Sequence, residues 1–259
     1  MRIRSIEADC RSLTHVWVGS VRWACYTALP VVSKNSVLKF SVGRSPEPGK
    51  LVKKKKSQTT AGFPLRVAGE RVHISALGAP GSFSEDAARA YAKRESLTCE
   101  VVNKADFDDV LAALDDERVD LGVLPVSNLV GGLVRGAFEA MGRFNFQPIA
   151  QISLDIRHSL LVRTAEVRPA AVERVVSHPQ AISQCSGFLS REFPGREWMN
   201  WSDTASAARD LSEGRLDAGV AVIASKRAAE SYSLHILAAD IQDDPENETR
   251  FVIVRKLPS

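Results

Sequence analysis

From Arg71 onward, two patterns of hydrophobic and polar positions alternate along the chain. One is the short apolar run. "RVHISALG", "CEVVNKA", "VDLGVLPVSN", "VERVVS" and "LDAGVAVIAS" read as strands, the third and fifth apolar enough to be buried on both faces. The other is the amphipathic helix. "DFDDVLAALDD" puts Phe107, Val110, Leu111 and Leu114 on one side. "SFSEDAARAYAKR" opens with Ser82 as N-cap and Glu85 three residues on, the spacing of a capping box, and "SDTASAARDLSEG" starts from Ser202 or Asp203. "GGLVRGAFEAMGR" and "KRAAESY" complete the helices. "PIAQISLDIRHSLLVR" holds one or two strands, "REWMNW" a short one, and "LHILAADI" and "TRFVIVRK" the last two. Alternation of this kind predicts an α/β fold with parallel or mixed sheet flanked by helices. In such sheets ligands sit at the carboxyl ends of strands, where helix N-termini converge.

Residues 1–70 break the pattern. They are basic, rich in Ser and Val, and carry "SPEPGKLVKKKKSQTTAG", with the Lys53–Lys56 run between Pro/Gly and small polar residues. This is the composition of a linker, a disordered stretch or a targeting segment, or of a translated upstream stretch. The net charge of +3 conceals the split: 13 Lys+Arg face 4 Asp+Glu in residues 1–70, against 21 and 27 in residues 71–259. The folded part is mildly acidic, so no nucleic-acid partner is expected. No apolar run reaches the length of a membrane span, so no membrane partner is expected either. The four cysteines form no CxxC pair and the five histidines no ligand pair at helical spacing, so neither a metal nor another cofactor is expected.

Chemistry concentrates at four strand-helix junctions: "GAPGSFSE" (78–85), "LPVSNLVGG" (124–132), "SHPQAISQC" (177–185) and "IQDDPENETRF" (241–251). In the third, Ser177 reads as an N-cap, with Pro179 in the first turn and Gln180 closing a capping box. A helix start of this kind suits an anion.

These stretches, together with "RHSLLV", "DTASAA" and "VAVIASKRAAESY", resemble the prephenate dehydratase family, whose catalytic domain plant arogenate dehydratases share. The resemblance covers about residues 71–256. It implies a two-lobed fold like a type II periplasmic binding protein, with the active site in the cleft. The first lobe would comprise about residues 71–150 plus 235–259, and the second about 151–234. It also implies a small-molecule substrate and a reaction, loss of carboxylate and hydroxyl from prephenate to give phenylpyruvate in L-phenylalanine biosynthesis. Thr249 of "TRF" would be the catalytic hydroxyl. Ser177, Gln184 and Asn128 would position substrate, Arg250 would pair with a carboxylate, and Ser82, Phe83 and Ser84 would cradle an anion.

Two residues depart from the family's pattern. The loop that usually reads Pro-Ile/Val-Glu-Asn-Ser is here Pro125-Val126-Ser127-Asn128-Leu129, which removes a carboxylate and a hydroxyl beside the expected cleft. These changes keep open a decayed relative that only binds a small acid; prephenate decarboxylation is a second alternative, against which Thr249 argues, and arogenate a third, since the sequence does not separate the two substrates. The chain ends soon after the "TRF" strand, so no regulatory ACT domain is expected, and a homodimer is open. The expected location is the cytoplasm, or the plastid stroma if residues 1–70 are a transit segment.

Overall fold

The computed structural model describes residues 71–258 and, before them, the backbone pairing of β1 (Trp17–Val18) with β2 (Val21–Arg22). Residues 1–67 and 68–259 form separate units. The expectations for residues 1–70 otherwise lie outside the described residues.

In chain order the second unit begins with β3 (Val72–Leu77), α1 (Phe83–Arg94), β4 (Cys99–Lys104), α2 (Phe107–Asp115), β5 (Leu121–Asn128), β6 (Gly132–Leu133), α3 (Arg135–Met141) and β7 (Phe146–Asp155). It continues with β8 (Ser159–Val162), β9 (Arg174–Ser177), α4 (Pro179–Gln184), α5 (Ser186–Glu192), β10 (Glu197–Asn200), α6 (Thr204–Ser212), β11 (Val220–Ala224), α7 (Lys226–Ser231) and β12 (His235–Ala238), and ends with β13 (Glu248–Lys256).

Four helices start where a short polar side chain caps the first turn. Ser82 accepts from Glu85 N (3.2 Å), Asp106 from Asp109 N (2.7 Å), Asp203 from Ser206 N (2.8 Å) and Ser225 from Ala228 N (3.0 Å). Such a cap contributes about 1 kcal/mol. The box expected at Ser82 closes one residue early, because the Glu85 carboxylate accepts from Gly81 N (2.7 Å).

The strands form two sheets. The first runs β4-β3-β5-β13-β7, with β6 paired to β5; β3, β4 and β5 are parallel and β13 runs antiparallel to both its neighbours. The second runs β10-β9-β11-β8-β12, with β9, β10 and β11 parallel and β8 antiparallel. The central β11 is wholly buried and apolar, as a strand covered on both faces must be. Leu160, Val175, Ile182, Leu189 and Ile223 pack in one cluster of this lobe, and Leu161, Val176, Ala208, Leu211 and Val222 in another. In the first lobe α2 and α3 press Leu111, Leu114 and Ala140 onto Leu124 and Val254.

The chain passes between sheets twice, at Ile156–His158 and at Ala239–Asn247. Both crossings lie later than the sequence suggested, near 150 and 235. The first is delayed because β7 pairs with β13 as far as Asp155↔Glu248. The second is delayed because β12 pairs with β8 at the edge of the second sheet instead of returning to the first. The two crossings hold each other: Ile156 N donates to Asn247 O (2.7 Å), Ile241 N to His158 O (2.9 Å) and His158 N to Gln242 Oε1 (3.0 Å).

Candidate active site

At their carboxyl ends β3, β5, β9 and β11 each lead into a turn or a helix start, and these segments meet across the lobes, Gly81 with Ser225 and Asn128 with Gln180. Two contacts bring the lobes together. At one, Gly81 lies so close to α7 that a Cβ added to it would sit 2.6 Å from Ala228 Cα, and its φ is +86°. Only glycine fits this combination of a left-handed backbone and a close approach. Ser225 Oγ donates to Gly81 O (2.6 Å), and Arg227 pairs with Asp86 beside it. Burial raises the Asp86 pKa despite the guanidinium.

The second contact is a chain of side-chain amides centred on Asn128. Asn128 ends β5, is buried, and stands opposite Thr249 of β13 in register. Its Oδ1 accepts from Val130 N (3.1 Å) and Gly131 N (2.7 Å). A backbone N–H can only donate, so these two bonds fix which end of the amide is oxygen. Asn128 Nδ2 therefore donates to Thr249 Oγ1 (2.9 Å) and to Asn247 Oδ1 (2.7 Å). From the second lobe, Gln184 Nε2 donates to Asn128 Oδ1 (3.1 Å), with Gln180 Nε2 at a longer 3.4 Å. Gln184 Oε1 then faces His158 Nε2 at 2.9 Å.

His158 sits on the first crossing and is 2% exposed. Phe83 of the first lobe meets its ring edge-to-face, with centroids 5.4 Å apart. Burial holds its pKa below the ordinary histidine value, against a smaller opposing contribution from Gln184. His158 Nδ1 and Asn247 Nδ2 are buried polar atoms of this cluster without a hydrogen-bond partner among the described residues. Neither residue was singled out as a site residue from the sequence. His158 lies in "RHSLLV" and Asn247 in "IQDDPENETRF", but as single letters they carry no signal of convergence.

Of the residues expected at the site, Asn128, Gln184 and Thr249 are brought together by the bonds just described, and Phe83 reaches the cluster through His158. Ser177 departs from expectation. It is the last residue of β9, wholly buried, and its Oγ donates to Ile223 O (2.7 Å) across to β11. The cap of α4 is His178 instead, whose Nδ1 accepts from Gln180 N (3.2 Å). Strand pairing claims the Ser177 hydroxyl before the helix can use it. Ser82 likewise spends its hydroxyl on Leu77 O (2.9 Å) and on the cap of α1. Ser84 is buried in the first turn of α1, and the N–H groups of Phe83 and Ser84 precede the first intrahelical bonds of that helix.

Arg250 is not with Thr249. Successive strand residues point to opposite faces. Arg250 is exposed, pairs with Glu248 (3.3 Å), and lines an open groove of about 680 Å³ with Ser127, Leu129, Asp155 and Arg157. The two departures from the family's loop, Ser127 and Leu129, line this groove, and Asn128 between them borders it as well.

The chain matches known proteins over this unit. The prephenate dehydratase family model covers residues 74–259. The arogenate dehydratase/prephenate dehydratase 2, chloroplastic, of Arabidopsis thaliana is 37% identical over 191 residues, covering 73% of this chain and 48% of the relative. The chain thus spans about half the length of the curated relatives it matches. Among solved structures, the prephenate dehydratase of Arthrobacter aurescens in complex with L-Phe aligns with a TM-score of 0.65 and 26% identity, over 73% of this chain and 61% of that one. A protein described as a novel type of quorum-quenching acylase aligns with a TM-score of 0.62 and 27% identity, over 72% and 65% of the two chains. The chain belongs to the prephenate dehydratase family.

Proposed function

We propose that the chain is a hydro-lyase that converts prephenate to phenylpyruvate, carbon dioxide and water, in the biosynthesis of L-phenylalanine. In this reaction the bond from the ring to its carboxylate breaks and its electron pair enters the ring. The bond to the 4-hydroxyl breaks at the other end, and the hydroxide leaves as water after gaining a proton. Aromatisation drives the step, so the protein's work is to hold a dianion and to stabilise the departing oxygen.

The observation that carries this reading is the direction of the bond at Thr249. Asn128 Nδ2 donates to Thr249 Oγ1, which leaves the hydroxyl proton of Thr249 to be donated elsewhere. An accepted hydrogen bond polarises the hydroxyl and strengthens its own donation. A preorganised donor aimed at a leaving oxygen typically accelerates such a step by about 10²–10³-fold. For the substrate's carboxylates, Asn247 Nδ2, buried without a partner among the described residues, and the N–H groups of Phe83 and Ser84 at the start of α1 offer donors.

Arogenate is the second reading. It is supported by the curated relatives, which include arogenate dehydratases. The Arabidopsis relative is also named chloroplastic, so a plastid location for this chain would place its import signal in the basic residues 1–70. Among the described residues no helix is long and apolar enough to cross a membrane. The test is an assay of the full chain with each substrate in turn, following loss of the diene and gain of phenylpyruvate or phenylalanine. Turnover of prephenate is expected. Turnover of arogenate alone would move the assignment to that substrate, and decarboxylation without an aromatic product would overturn dehydration.

A further inference from the structure

The amide chain between the lobes has one link whose orientation the backbone does not set. Asn128 is fixed by Val130 N and Gly131 N. Gln184 has no such anchor: its side-chain bonds are to Asn128 Oδ1 and His158 Nε2. If its amide turned over, Gln184 Oε1 would oppose Asn128 Oδ1, two acceptors facing each other in a buried site. Asn128 Oδ1 disfavours the turned amide from one side, and a donor on the far side disfavours it from the other; a neutral histidine protonated at Nε2 is such a donor.

We infer that His158 is a positioning residue, whose Nε2–H holds Gln184 so that its amide N–H group, and not its carbonyl, faces Asn128 and the cleft. Three further observations agree. His158 Nδ1 is buried without a partner among the described residues, so a proton there would be an unsatisfied donor and the Nε2–H form is the one the site accommodates. Burial also disfavours the imidazolium, which keeps a neutral ring in place. The ring's own position depends on both lobes: its backbone is bonded to Gln242 of the second crossing, and Phe83 of the first lobe packs against it. The lock is thus complete only with the lobes together. Gln184 Nε2 carries a second hydrogen beyond the one given to Asn128, and with this orientation it is offered to an anionic ligand and not replaced by a repelling carbonyl oxygen.

The turnover part of this inference rests on the proposed reaction; the proton assignment does not. Nitrogen-15 NMR of the full chain, with His158 assigned by comparison with His158→Gln, should show His158 neutral and protonated at Nε2 at neutral pH. The Nδ1–H form or a charged ring would overturn the inference. In kinetics, His158→Leu should lower kcat/KM about tenfold, the coupling expected for neighbours in one buried hydrogen-bond network. His158→Gln, which can restore a donor towards Gln184, should recover most of that loss. Because His158 acts through Gln184, its loss should cost little more in a Gln184→Ala background. Full activity of His158→Leu, or effects that multiply independently with those of Gln184→Ala, would overturn the positioning role. If His158→Leu does not fold, His158→Gln and the proton assignment still decide. An unaltered chain that turns over neither substrate, yet shows the Nε2–H form, would sink the reaction and leave the assigned proton direction standing.

Discussion

Thr249 and Arg250 are neighbours in the chain and belong to different surfaces. Thr249 is buried, bonded to Asn128, and joined through it to the second lobe. Arg250 is exposed and points the other way from the strand, into a groove with Glu248, Asp155 and Arg157 that meets the Thr249 cluster only at Asn128. The difference follows from the pleat alone, since a strand shows alternate residues to alternate sides. A three-letter motif on a strand therefore cannot be taken as one functional group. The residues that share a site with Thr249 are those across from it and beyond the cleft: Asn128, Asn247, Gln184 and His158.

That contrast can be broken by substitutions on each face. The largest effect is expected at Thr249→Val, which keeps the volume and removes the hydroxyl; turnover should fall about 10²–10³-fold with little change in unfolding temperature. Next is Asn128→Asp. Its carboxylate can still accept from Val130, Gly131 and Gln184 but cannot donate to Thr249, so kcat should fall at least about tenfold, more than KM changes. Equal kcat for the variant and the parent would mean that Thr249 needs no orienting donor. Ser177→Ala should act on stability instead, at about 1 kcal/mol in denaturant unfolding, because its hydroxyl is tied to Ile223 O. A selective rise in KM there would return Ser177 to the substrate. The smallest effect is expected for Arg250→Ala, within about 0.5 kcal/mol in stability, as its ion pair is exposed.

Much of the fold was legible in the residues. The alternation of apolar runs and amphipathic segments predicted sheet flanked by helices, the family resemblance supplied the two lobes, and caps such as Ser82 and Asp203 marked helix starts that the structure contains. The two crossings were misplaced because pairing partners decide where a strand stops. Nothing in β7's own residues says that β13 will accompany it to Asp155. Asn128, Gln184 and Thr249 were legible only through the family resemblance, since each alone has an ordinary structural use; the fold bonds both Gln184 and Thr249 to Asn128. The site was not legible where a hydroxyl had competing partners. Ser177 satisfies the local rule for an N-cap, yet Ile223 O, 46 residues away in sequence, accepts its hydrogen bond. His158 was invisible for the related reason that a buried histidine in a strand-like run means little until its neighbours from both lobes are in place.

The division between the two faces of β13 is tested most directly by measuring kcat of Thr249→Val and of Arg250→Ala side by side in the full chain, at saturating substrate and with matched unfolding temperatures. Thr249→Val should be slower than Arg250→Ala by about 10²-fold, the worth of one preorganised donor. If Arg250→Ala loses as much turnover as Thr249→Val, the groove and the amide cluster are one site, and the separation drawn from the strand's alternation is wrong.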